Sequence, residues 1–290
     1  MDVMASTALW AMHPAFLDAL LKKGALESFL PDVIKNFAGI SAPAAAKAAD
    51  PIREGASIIV PMHGVMAPSG VYSGASVMTD VLANRIREFG ADSKIGTVIL
   101  DVRSPGGLVW GTQELADAVY EVRQLKPVVA VANPYCFSAA YHVATQASAF
   151  FVTTSGEVAN VGVRSGHTDM SGFEEKIGMK TTPIASHPDK IAAHPHAPLT
   201  DEDRADIQAS VEAANQAFVA AIARGRGMKV ADVPAVHGTG KTFRAEEAFS
   251  RGATDGVMTL RDVIAKYSSS RSRLDLMRRR AEMQGQAATI

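Results

Sequence analysis

A single serine lies where the sequence changes from an apolar run to a run of small residues. Ser138 follows the apolar segment 127–132 (PVVAVA), which predicts a buried strand, and precedes residues 139–147, which predict a helix. In parallel α/β sheets, ligands bind in the crevice beyond the carboxyl ends of the strands, and the positive end of a helix favours negative charge. Ser138 is therefore a candidate nucleophile.

A glycine-rich turn follows the predicted strand that precedes this one in the chain. Residues 96–102 (GTVILDV) form that strand, and the turn reads Ser104-Pro105-Gly106-Gly107. Glycine lets backbone N–H groups approach a ligand closely, so the turn is a candidate oxyanion hole. A lone serine before a helix is more often a cap, and a lone Pro-Gly-Gly is usually only a turn. The order and spacing of the two features together favour catalysis.

Five ordered motifs between about residues 57 and 266 carry a family resemblance. The sequence resembles the signal peptide peptidase A (protease IV) family of serine peptidases, in particular the branch that tailed phages encode as head or minor capsid proteases. One motif departs from the family pattern, because Asn160 stands where the family has serine. The matching segments are Asp101–Gly107, Lys126–Asn133, Ser138–Ala140, Ala159–Val163 and Phe173–Lys180.

The resemblance implies a Ser–Lys dyad. The family's lysine position corresponds to Lys190, 52 positions after the serine (190 − 138), although Pro188-Asp189 replaces the usual residues before it. A lysine can act as a base near neutral pH only if burial lowers its pKa by several units. The resemblance also implies that the N–H groups of Gly107 and Ala139 hold the oxyanion, supported by Gly106. Replacing Gly107 by valine is then expected to lower turnover much more than stability.

Other functions remain open from the sequence. His167 follows Ser138 by 29 positions (167 − 138) and would suit a Ser–His–Asp triad on a similar fold. Cys136 is a second candidate nucleophile, although its apolar surroundings favour a buried thiol. A crotonase-like acyl-CoA enzyme would need a glutamate acid/base and a site for the CoA phosphates, and neither is evident. An inactive structural subunit of a phage head is the remaining alternative.

Several histidines and a glycine-rich segment are interpreted as structural. His142, four residues after Ser138, is predicted to serve packing or a subunit contact. His187, His194 and His196 lack the spacing of a metal site, and no metal or other cofactor is predicted. The segment 238–242 (GTGKT) resembles a phosphate loop but lacks its first glycine and a preceding strand, so nucleotide binding is not expected.

Composition sets the limits of these predictions. The chain has 290 residues, 47% of them hydrophobic, which is enough for one sizeable α/β core. A net charge of −1 gives no reason to expect nucleic-acid binding. The single cysteine suits a reducing cytoplasm, and no export signal or membrane span is convincing. We therefore expect a soluble protein, and the resemblance implies that it acts in the host cytoplasm or the assembling prohead.

The pattern of elements predicts an α/β fold, and the resemblance makes it the ClpP/crotonase-like spiral of ββα units. The predicted organisation is a helical extension with an Ala/Pro linker (1–54), a peptidase domain (55–267) and a Ser/Arg-rich tail (268–290). Within the domain, a strand is expected at 57–63, an amphipathic helix near 76–89, and a long helix at 201–224 with one buried face. The resemblance further implies a homo-oligomer that cleaves capsid, portal or scaffold protein.

Overall fold

The computed structural model describes residues 9–12, 50–71 and 75–268. These residues fall into two compact units. The larger unit contains residues 11–12, 50–162 and 216–268, and the smaller contains residues 9–10 and 163–215. Most of the predicted helical extension with its linker (residues 1–8 and 13–49) and the tail beyond residue 268 lie outside the described residues.

Twelve strands are found in the part of the chain that the structure describes. The two longest, β6 and β8, are mostly buried and rich in β-branched residues, which favour strands. In chain order they are β1 Trp10–Met12, β2 Ile52–Glu54, β3 Ser57–His63, β4 Met66–Ala67, β5 Val77–Met78, β6 Thr97–Ser104, β7 Gly106–Leu108, β8 Val128–Phe137, β9 Ala149–Val152, β10 Glu157–Ala159, β11 Thr242–Arg244 and β12 Gly256–Val257.

Eight α-helices accompany these strands within the described ranges. Two 3-10 helices, Pro188–Ile191 and Val230–Asp232, are also present there. The α-helices are α1 Thr79–Ala91, α2 Thr112–Leu125, α3 Ala139–Ala144, α4 Ser171–Lys176, α5 Asp201–Arg226, α6 Val233–His237, α7 Ala245–Ser250 and α8 Leu260–Tyr267. None of the helices described is long and apolar enough to cross a membrane.

A mostly parallel sheet forms the centre of the larger unit. Its main order is β11-β10-β8-β6-β3-β2, and β8 pairs with both β9 and β10 on one side. The pairs β3–β6, β6–β8, β8–β9 and β8–β10 are parallel, whereas β2 and β11 are antiparallel edge strands. The α/β class is therefore confirmed. A second sheet has the order β1-β7-β4-β5.

Helix α8 covers one face of the main sheet. Its Val263 and Tyr267 pack against side chains that alternate along four neighbouring strands. These strand residues are Ile59, Ile99, Val129, Val131, Ala149 and Phe151.

Long-range pairing changes several predicted boundaries. The strand expected to end at residue 132 continues as β8 to Phe137, because Tyr135–Phe137 pair with β10. The helix predicted from residue 76 begins at Thr79, since Val77 and Met78 form β5. Between the predicted strand and the predicted helix lies the short strand β4. In α5 the buried face is limited to the last third, where Phe218 and Ile222 are buried.

Candidate active site

Ser138 occupies a strained position between β8 and α3. Its backbone angles, φ 52° and ψ −116°, are rare for a residue with a Cβ atom. The serine N–H donates to the carbonyl oxygen of Ala159 (2.8 Å), and the N–H of His142 donates to the serine carbonyl (2.8 Å). These bonds fix the turn on both sides.

The Ser138 side chain is buried and does not cap α3. It makes no capping hydrogen bond, and its Oγ instead lies 3.4 Å from the carbonyl oxygen of Gly162, a long contact. An N-cap serine would have extended backbone angles and accept from the first turn. The capping interpretation therefore fails, and the strain needs another explanation.

A second strained pair lies next to Ser138. Ala159 and Asn160 have φ values of 89° and 60°. The Asn160 side chain donates to the carbonyl oxygen of Gly240 (2.7 Å) and its N–H donates to that of Lys241 (2.8 Å). The segment that resembled a phosphate loop thus supports the backbone that receives the Ser138 N–H. It follows helix α6 rather than a strand.

The predicted glycine turn forms β7. The hydroxyl of Ser104 donates to the carbonyl oxygen of Gly64 (2.7 Å) and accepts from the N–H of Gly106 (3.2 Å), which fixes the turn. Gly106 has φ 98°, a conformation that L side chains rarely adopt. At Gly107 the φ angle is ordinary, but the backbone of β4 lies directly against it.

The expectation that valine at Gly107 would spare stability is wrong. A Cβ atom at Gly107 would lie 1.9 Å from the carbonyl oxygen of Met66 and 2.6 Å from its carbonyl carbon. Because both atoms belong to the backbone of β4, any side chain at this position must move that strand. A substitution there cannot separate an oxyanion role from a folding role.

A polar network joins the ends of three parallel strands. The Asp101 carboxylate on β6 accepts hydrogen bonds from His63 Nε2 (2.9 Å) and from Asn133 Nδ2 (3.0 Å). The remaining ring nitrogen of His63 accepts from Arg103 (3.3 Å). Because β6 leads into the glycine turn and β8 leads into Ser138, this network fixes the two turns relative to each other. In the sequence, Asp101 and Asn133 are marked only as the first and last residues of two of the matching motifs.

Buried polar contacts fix the position of helix α3. Tyr141, three residues after Ser138, contacts His237 Nδ1 through its hydroxyl (2.5 Å), and the hydroxyl donates to the carbonyl oxygen of Ala253 (3.3 Å). Burial raises the pKa of Tyr141 and lowers that of His237 to about 3. Nearby, Arg226 and Asp255 form a bidentate pair with N–O distances of 3.0 and 2.8 Å. These pairs fix the position of helix α3, which directly follows Ser138.

His142 packs in the interior, which is one of the two roles predicted for it. Its ring stacks on Phe218 with centroids 4.7 Å apart, and burial, followed by the charge of Arg224, lowers its pKa to about 3. Unfolding returns the histidine pKa toward about 6.5. The unfolded chain therefore binds the proton more readily.

Acid is expected to destabilise the fold through this histidine. Its contribution is fully present above pH 6.5 and is lost as the pH falls toward 3, at about 1.4 kcal/mol for each pH unit. His142→Phe keeps a ring on Phe218 and should flatten the dependence of the melting temperature on pH between 6.5 and 4. His187→Gln, at an exposed histidine, is the control. Parallel curves for the wild type and His142→Phe would contradict the assignment.

Cys136 is a buried thiol, in agreement with the sequence. Its side chain is inaccessible, and burial raises its pKa well above the usual range. A thiolate is the reactive form of cysteine. The alternative of a cysteine nucleophile two residues before Ser138 therefore finds no support.

The two candidate bases lie in the smaller unit. Lys190 belongs to the exposed 3-10 helix Pro188–Ile191, whose N-terminus is capped by the ring of His187. His167 Nε2 lies 3.1 Å from the carbonyl oxygen of His194. His196 Nδ1 lies 2.6 Å from the buried carboxylate of Glu174, so this histidine is engaged in structure. Ser138 thus belongs to the larger unit, whereas Lys190 and His167 both belong to the smaller one.

Comparison with known proteins supports a common ancestry with proteases. Residues 121–272 match peptidase family S49. The chain is 30% identical over 193 residues to Capsid assembly protease C of Escherichia phage lambda, covering 67% of this chain and 43% of the relative. It is 32% identical over 181 residues to Head-tail preconnector protein GP5 of Enterobacteria phage P21, covering 62% and 36%. Protease 4 of Salmonella typhi is 23% identical over 217 residues, covering 74% and 35%.

The chain thus spans about two fifths of the length of the two phage relatives. The family match includes Ser138 and Lys190 but begins after the glycine turn.

Proposed function

We propose that this chain, which belongs to peptidase family S49, is a serine endopeptidase that works without ATP. The family match confirms the resemblance that the sequence motifs indicated. The observation that carries the proposed activity is the backbone of Ser138: a buried serine with φ 52° that caps nothing. Strain of this kind costs about 1–3 kcal/mol and is typical of functional sites.

In the proposed mechanism, Ser138 Oγ attacks the peptide carbonyl carbon. Lys190 Nζ takes the serine proton and later gives it to the leaving amine, so that an acyl-enzyme forms and water then releases it. The N–H groups of Gly107 and Ala139 stabilise the oxyanion. No metal or nucleotide takes part in these steps.

The exposed position of Lys190 requires something to cover it in the active state. A lysine base needs a partly dehydrated pocket. We propose that a second copy of this chain supplies this cover in a homo-oligomer, as the family resemblance implies. We also propose that the peptidase domain extends over residues 55–267 and has the ClpP/crotonase-like spiral, flanked by a helical extension and a basic tail.

The proposed substrates are proteins of a phage head. The two phage relatives are named for capsid assembly and for the head–tail preconnector, and we extend that setting to this chain. Capsid, portal or scaffold protein would then be cleaved in the host cytoplasm or inside the assembling prohead.

A fluorophosphonate probe tests the proposed activity directly. The probe reacts with an activated serine, and peptide mapping by mass spectrometry identifies the labelled residue. We expect labelling at Ser138 that is lost in Ser138→Ala and retained in Ser57→Ala, since Ser57 is also buried but lies on β3. Labelling at another residue, or none in the wild type, would contradict the proposal.

A further inference from the structure

The edge of the sheet beside the glycine turn is occupied by the chain's own residues. Strand β7 has β4 on one side, through the pair Met66–Gly107, and β1 on the other. Strand β1 is only three residues long, yet Ala11 and Met12 have exposures of 2% and 3%. A short segment far from the domain in sequence thus closes this edge.

This edge lies next to the residue that precedes Ser138. A Cβ atom at Gly106 would be 2.2 Å from the carbonyl oxygen of Ala11 and 3.0 Å from that of Phe137. The two carbonyl oxygens are therefore no more than about 5 Å apart. Only glycine at 106 permits this approach, so the backbone of β1 runs directly beside the turn that carries the candidate nucleophile.

An extended peptide recognised by a sheet edge occupies the same kind of position. Strand addition satisfies the free N–H and C=O groups of the edge and binds a peptide mainly through its backbone. A serine next to such an edge can reach the carbonyl groups of the added strand. In this structure the place for that strand is taken by Ala11 and Met12.

We propose that the β7 edge is the substrate-binding edge and that β1 occupies it as an internal competitor, which must leave before a substrate enters. This inference rests on the proposed peptidase function. A three-residue strand makes few hydrogen bonds, but its attachment to the chain gives it a high effective concentration. The device therefore keeps the site closed to weak or dilute peptides and opens it to a tightly bound or locally concentrated substrate.

The position of β1 can be measured without catalysis. Cys136 is the only cysteine and is buried, so an introduced thiol reports its own exposure. In the Ser138→Ala background, we expect the thiol of Met12→Cys to react with a maleimide at least tenfold more slowly than that of Ile52→Cys. Ile52 is a matched control, because β2 is also a three-residue edge strand and Ile52 is 58% exposed.

Competition is then tested with a synthetic peptide that has the sequence of residues 7–16. Saturating peptide should speed the modification of Met12→Cys at least fivefold, leave Ile52→Cys unchanged, and have no effect when its sequence is scrambled. Equal reactivity of the two thiols, or no response to the peptide, would overturn the inference. If Met12→Cys does not fold, hydrogen exchange of residues 10–12 in Ser138→Ala, with and without the peptide, gives the same decision.

Activity measurements separate this inference from the proposed function. Met12→Asp should expel β1 and raise the rate of fluorophosphonate labelling at Ser138 at least fivefold, whereas Ile52→Asp should not. If Met12→Asp is labelled at the same rate as the wild type, the proposal that β1 is an internal competitor is overturned. The proposed peptidase function is then unaffected. If neither the wild type nor these variants are labelled, the proposed peptidase function is contradicted. The thiol experiment would still decide whether β1 occupies the β7 edge.

Discussion

Ser138→Ala is expected to abolish peptide hydrolysis while the protein stays folded. Removal of a catalytic nucleophile commonly lowers the rate by several orders of magnitude. The alanine keeps the Cβ atom and the backbone bonds to Ala159 and from His142, which do not involve the hydroxyl. The measurement is cleavage of a protein substrate, with folding checked by circular dichroism and melting temperature. Ser57→Ala is the matched control and should retain activity.

A glycine at the same position tests whether the backbone of Ser138 is strained. In ordinary conformations, replacing alanine by glycine lowers stability by roughly 0.5–1 kcal/mol. At φ 52° the order should be reversed, and Ser138→Gly should be at least as stable as Ser138→Ala. Both variants should be inactive. A folded Ser138→Ala protein that cleaves at nearly the wild-type rate would remove Ser138 from the mechanism.

The sequence predicts well those elements that local patterns determine. Strand β3 has the predicted bounds, 57–63, because its apolar run is flanked by turn residues. Helix α5 begins at Asp201 as predicted and ends two residues later than expected, at Arg226. Ser138 and the glycine turn were identified from residue type and order, and both lie at carboxyl ends of parallel strands.

Features that depend on distant contacts could not be read from the sequence in the same way. The extension of β8 through Pro134 to Phe137 depends on β10, more than twenty residues further on. The network around Asp101 requires His63 and Asn133, which approach only when β3, β6 and β8 align. Strand β1 lies in a segment predicted to be a helical extension, and its partner β7 is about a hundred residues away. Periodicity carries no information about such pairs.

The burial of α5 illustrates the same limit. Its apolar stripe satisfies the helical spacing from Ile207 to Ile222, which predicts one buried face. In the structure, Ile207 and Val211 are only partly buried, while Phe218 and Ile222 are fully buried. The helix continues from the smaller unit into the larger one at residue 216. A hydrophobic pattern therefore indicates which face can be buried but not where along the helix a partner exists.

Lys190→Arg is expected to be inactive, and this variant decides between the two mechanisms. A lysine base must lose its proton before it can accept one from serine. A guanidinium stays protonated throughout the useful pH range, so arginine keeps the positive charge but cannot act as a base. Under this mechanism His167→Ala should retain measurable turnover. The comparison uses cleavage rates measured over a range of pH, together with melting temperatures.

The controls follow from where these residues lie. Lys190 is on an exposed 3-10 helix, so the substitution should not alter the core. Lys180→Arg, at another exposed lysine of the same unit, should leave the rate unchanged. An active Lys190→Arg enzyme with an inactive, folded His167→Ala enzyme would replace the dyad by a Ser–His site. Loss of activity in both variants would show that catalysis needs both residues. In that case His167, whose Nε2 already lies 3.1 Å from the His194 carbonyl oxygen, would act by holding the loop that follows Lys190.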